Sequence, residues 1–118
     1  IVRWYDFDVL GGAVGTGNLL PAVAIPENAL IRNGVVCVMT AVTPVVGCTQ
    51  SLTAESAADL KAAATNCFTS TGLKAVVPVG TAGTSVQLTA DRYITMTIAT
   101  GAATAGKFCV ILDYTLAP

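Results

Sequence analysis

Two pairs of carboxylates are spaced so that they could act together. Asp6 and Asp8 lie two apart in Val2–Leu10, where aromatic and polar residues alternate. A strand there would put both on one face, about 7 Å apart. Glu55 and Asp59 are four apart and would share one face of a helix. Either pair could hold a weakly bound cation or trade a proton. The chain has no histidine, so the commonest general base near neutral pH is missing and a Ser-His-Asp or Cys-His unit is excluded. Glycosidase chemistry needs two carboxylates facing one cleft, and no calcium-loop spacing is present. Solvated polar faces are the preferred reading of both pairs. No catalytic residue, metal site or cofactor is expected.

Cys37, Cys48, Cys67 and Cys109 form no CxxC unit. Without histidine, a zinc site would need all four thiolates. Two disulfides, in any of three pairings, would suit an oxidising compartment. Small hydrophobic thiols in or near the core are the preferred alternative. Gly11–Asn18, GGAVGTGN, superficially resembles a phosphate-binding loop. It lacks the closing Lys-Ser/Thr, and Pro21 and Pro26 bar a following helix. It reads as a flexible loop.

Composition points the same way. Of 118 residues, 11% are charged, against a usual ~25%, while 53% are hydrophobic. The net charge is −1 and the six basic residues, Arg3, Arg32, Lys61, Lys74, Arg92 and Lys107, stand singly. No basic field exists to neutralise phosphates, so nucleic acid is not an expected partner. Apolar stretches are cut by Pro, Gly, Thr and Asn before reaching the ~20 residues of a membrane span, so no membrane partner is expected. Ile1–Val9 carries charge and no long apolar core, so no secretory leader is expected. A chain of this size cannot hide so much apolar surface inside itself. A substantial protein–protein interface is the remaining expectation.

The elements that would position such an interface are short strands. In Leu30–Val42, Val35, Cys37, Met39 and Ala41 share one face and Val36, Val38, Thr40 and Val42 the other. Both faces are largely apolar, which fits a core on one side and a partner on the other. Pro44 ends the stretch, and Val45–Leu52 suits a further strand. Residues 54–64 are the one helical candidate: Thr53 could cap it and Ala57, Leu60, Lys61 and Ala64 follow helical spacing. Lys74–Val79 contains Pro78 and suits an edge strand. Arg92–Thr100 and Lys107–Leu116 alternate best, joined by a hairpin-like Gly101–Gly106. Seven or eight short strands with Gly/Pro turns predict an all-β, jelly-roll-like β-sandwich with one short helical insert. It forms a single domain over residues 1–118, with residues 1–18 as an edge strand or intersubunit arm plus loop. The candidate interface residues are Trp4, Tyr5 and Phe7, which are equally suited to the core, together with Val36, Val38 and Tyr93.

The order of segments resembles small virion proteins of tailed bacteriophages that form trimeric decoration (cement) or head-fibre domains on the capsid. Four stretches carry the resemblance: Leu20–Ala22 through Pro26–Ile31, Thr49–Lys61, Leu88–Asp91 with Tyr93–Thr97, and Gly101–Lys107 with Val110–Pro118. The resemblance implies a jelly-roll sandwich, a homotrimer, capsid or other virion proteins as partners, and a place on the capsid surface. It transfers no individual functional residue. The expected function is therefore a non-enzymatic virion structural protein that reinforces a capsid through subunit contacts. The alternatives are a receptor- or glycan-binding module with a groove lined by Trp4, Tyr5 or Tyr93, and an extracellular bacterial fibre subunit.

Overall fold

The computed structural model describes all of Ile1–Pro118. Its spine is two long strands, β3 (Ala29–Pro44) and β9 (Ala103–Leu116), paired antiparallel from Ala29↔Leu116 to Pro44↔Ala103. β3 is rich in Val, and β9 carries Thr, Phe, Val, Ile and Tyr, all of which suit a pleated, packed surface. β1 (Val2–Asp6) adds to the free side of β9, and β6 (Gly72–Val79) to the free side of β3. The two-residue β7 (Val86–Gln87) also pairs with β3. This first sheet therefore runs β1-β9-β3-β6. The second runs β2-β8-β4-β5, from β2 (Gly15–Asn18), β8 (Thr95–Ala99), β4 (Thr49–Thr53) and β5 (Lys61–Ala64). With the short β7 set aside, the first strand pairs with the last, the second with the seventh, the third with the sixth and the fourth with the fifth. That is a long hairpin rolled into two sheets, the jelly-roll sandwich. The protein is all-β with one tiny helix, α1 (Phe7–Leu10).

Alternation sends every second side chain into one shared core. β9 contributes Phe108, Val110 and Leu112, β3 contributes Ile31, Val36 and Val38, and the second sheet contributes Leu52, Met96 and Ile98. At the centre Phe108 stacks between Tyr5 and Phe68, with ring centroids 5.3 Å and 4.4 Å away. Gly106 is required where β9 passes close to Val42 of β3. Its φ is +140°, and a Cβ there would come within 2.9 Å of the Val42 Cα.

Four expectations need correction. Residues 54–64 form no helix. The Asp59 carboxylate accepts from the backbone N–H groups of Ala54, Glu55 and Ser56 at 2.7–2.9 Å. The Thr53 hydroxyl accepts from Ala58 N–H. These bonds offer the backbone a compact loop in place of a helix. The alanines beyond it become β5 because pairing with β4 overrides their helix propensity. The helical turn sits instead at Phe7–Leu10, where the Asp6 side chain accepts from Asp8 N–H as an N-cap and so diverts the first strand. Gly15–Asn18, read as loop, is strand β2 on the edge of the second sheet. Gly101–Gly106 is no hairpin: β8 and β9 belong to opposite sheets, and β9 already begins at Ala103.

Candidate interaction surface

The outer face of the β1-β9-β3-β6 sheet is apolar across all four strands. Register fixes which residues lie side by side. One row reads Val2, Ile111, Val35, Ala75, and the next reads Trp4, Cys109, Cys37, Leu73. Leu73 is 71% exposed, Val2 49% and Ile111 40%. Met39, Val77 and Val79 extend the patch and are also exposed. Polar residues close its two ends. At one end Lys107 bridges to Asp6 at 3.1 Å, and at the other Asp113 pairs in register with Asn33. Four strands spaced about 4.8 Å, over about six residues of rise, make a patch roughly 19 Å by 20 Å. At roughly 400 Å², it matches the about 300–600 Å² of a typical monomer's largest apolar patch, which is often the functional one.

The second sheet supplies an internal control. Its outer face carries rows Thr16, Thr97, Ser51 and Asn18, Thr95, Thr53, followed by Ala99 beside Thr49. The Thr16 and Thr97 hydroxyls share a hydrogen bond of 2.7 Å. This face keeps β-compatible side chains but ends them in polar groups.

The candidate interface residues scatter. Tyr5, Val36 and Val38 are at most 2% exposed and lie in the core, beyond the reach of any partner that leaves the fold intact. Phe7 is half-buried against that core. Tyr93 is exposed but precedes β8, on the other sheet. Trp4 alone belongs to the apolar patch. On β3 the side chains facing out are Val35 and Cys37, one residue away from those singled out. Val2, Leu73, Cys109 and Ile111 were missed altogether. A usable signal was present on β9: Lys107 and Asp113 share a face with Cys109 and Ile111, which marks that face as the outer one.

The titratable groups hold the fold. Glu55 takes a two-pronged contact from Arg92, at 2.9 and 3.0 Å, and also accepts from the Thr89 hydroxyl. Those bonds lower its pKa to about 2. Asp6 is lowered chiefly by its hydrogen bond from Lys107. The Tyr5 hydroxyl donates to the Gly11 carbonyl at 2.8 Å, and burial raises its pKa to about 12. All four cysteines are free thiols. Cys48 accepts from the Gln50 amide, and Cys67 donates to the Gln50 carbonyl at 3.2 Å. Burial raises the Cys67 and Cys109 pKa values, and the neighbouring Cys37 pushes Cys109 further. Both are therefore kept protonated and weakly nucleophilic. The Arg3 guanidinium is buried, donating to the Val2 and Val23 carbonyls, with its Nε unpartnered.

A crevice of about 280 Å³ opens between Tyr5, Leu10, Met96 and the β2 segment. Of the aromatics expected to line a glycan groove, Tyr5 lines this crevice and Trp4 and Tyr93 do not. No helix is long and apolar enough to cross a membrane. Comparisons with protein-family models, with curated proteins and with solved structures found no match.

Proposed function

We propose that this chain is a non-enzymatic structural subunit of a bacteriophage particle. It decorates and reinforces the capsid by laying the outer face of its β1-β9-β3-β6 sheet against neighbouring protein surfaces. The observation that carries the proposal is the pair of adjacent apolar rows, Val2-Ile111-Val35-Ala75 and Trp4-Cys109-Cys37-Leu73, open to solvent in the isolated chain. Covering such a face with protein removes it from water and is favourable at roughly 25 cal/mol per Å² before the costs of association. Jelly rolls build viral capsids and lectins alike, so the fold does not choose the role. The phage assignment rests on the resemblance of the segments named above. A subunit held at repeated positions on a shell needs only modest contacts at each, because they add through multivalency.

The test is particle stability. Particles carrying the subunit should disrupt at a higher temperature than particles lacking it, and Ile111→Asp should abolish co-sedimentation with them. Equal disruption temperatures would sink the reinforcing role.

A further inference from the structure

We propose that the apolar face is self-complementary and that a second copy of this chain covers it, about a two-fold axis. The axis lies in the plane between the two sheets, crosses the strands, and passes between the two apolar rows. Rotation about it lays β1 over β1, β9 over β9, β3 over β3 and β6 over β6, each pair running in opposite directions. The row that contains Trp4 then faces the row that contains Val2.

Side-chain size supports this arrangement at all four strands. Trp4 meets the Val2 of the second copy, Ile111 meets Cys109, Val35 meets Cys37, and Leu73 meets Ala75. Each encounter sets a larger side chain against a smaller one, as interdigitating layers require. The other in-plane axis, parallel to the strands, would instead set Trp4 on Leu73 and leave four cysteines facing one another across a gap. The same register is consistent with the charges. On β9, Lys107 and Asp113 lie equally far from the axis on opposite sides, so each Lys107 faces the Asp113 of the other copy. Asp113 forms no ion pair within the chain, and the Lys107 side chain, though bridged to Asp6, remains 48% exposed. The usual angle of about 30° between packed sheets displaces these end residues sideways, a gap the flexible lysine stem spans. With side-chain relief the patch offers about 500 Å² per copy. Two copies thus reach the ~1,000 Å² floor for a specific interface, within the weak, reversible class.

This inference rests on the face used in the proposed function, with a different occupant: the pair is the state of the free chain, and it opens before that face meets the particle. Sedimentation equilibrium across a wide concentration range tests it. The wild-type chain should reach a two-chain mass and dissociate on dilution. Ile111→Asp should remain a single chain throughout, with an unchanged circular dichroism melt showing that it is folded. Asp113→Lys should weaken pairing at least tenfold, and adding Lys107→Asp to it should restore pairing to within about threefold. A single-chain or three-chain mass for the wild type, a pairing Ile111→Asp, or a charge swap that fails to restore would each overturn the two-fold pair. A monomer that still loses particle binding on Ile111→Asp would overturn the pair alone. A dimer that neither binds nor strengthens particles would overturn only the role on the particle.

Discussion

The two sheets of this sandwich meet the same demand on their inner faces and answer differently on their outer ones. Inside, both present apolar side chains to one core, and the first sheet adds the aromatic rings of Tyr5 and Phe108. Outside, the β2-β8-β4 rows are Thr, Ser and Asn with one Ala, while the β1-β9-β3-β6 rows are Val, Ile, Leu, Trp, Cys and one Ala. Strand-forming ability does not separate the two sets, since threonine suits a pleated surface as well as valine. The difference lies in how the side chains end: hydroxyls and amides dominate one face, hydrocarbon and thiol groups the other.

That contrast can be broken at several points. Phe108→Ala removes the central ring shared by both sheets. It should cost about 3–5 kcal/mol in urea denaturation, with probes in the two sheets moving together; separate transitions would show that the sheets are not one cooperative unit. Next come matched charges on the two outer faces. Ile111→Asp should weaken association with the particle or with another subunit by at least tenfold. Thr97→Asp should leave association within about twofold, and each should change the stability of the isolated chain by only about 0.5 kcal/mol. Equal effects on association would erase the contrast. The double change Val35→Thr with Ile111→Thr makes one face resemble the other. It should cut the fluorescence of a bound apolar dye to roughly half without lowering the melting temperature.

The smallest effects are electrostatic. The Glu55 pKa is lowered to about 2 from 4.5, so its stabilisation is complete above about 4.5 and drains away as pH falls towards 2. Glu55→Gln should flatten that stretch of the acid stability curve. Tyr5 is raised from 10 to about 12, so its contribution is complete below 10 and is lost as pH climbs through 12. Tyr5→Phe should lower stability by about 1 kcal/mol at neutral pH and abolish that alkaline loss.

Periodicity revealed the all-β class and the alternation of β8 and β9, of which Met96, Ile98, Phe108, Val110 and Leu112 are the buried phase. It could not choose a face on β3. With Val at 35, 36 and 38 and Cys at 37, both phases are apolar, and only pairing with β9 decides. The loop at 54–60 was hidden for another reason. The fate of Glu55 and Asp59 depended on Arg92, Thr89 and the local backbone, and two of those partners are more than thirty residues away. Likewise, whether Gly101–Gly106 joins strands of one sheet or two is a matter of topology that neither strand's pattern records.

The β3–β9 ladder has a mechanical consequence. Tension drawn along β9 from its C-terminal end loads the rungs from Ala29↔Leu116 to Pro44↔Ala103 in shear, so many must fail together. β1, paired with β9 from Val2↔Ile111 to Asp6↔Lys107 and extended by the Ile1–Leu112 hydrogen bonds, is the shorter graft and would yield sooner. Any load passed through the sheet would therefore strain its rim before its spine.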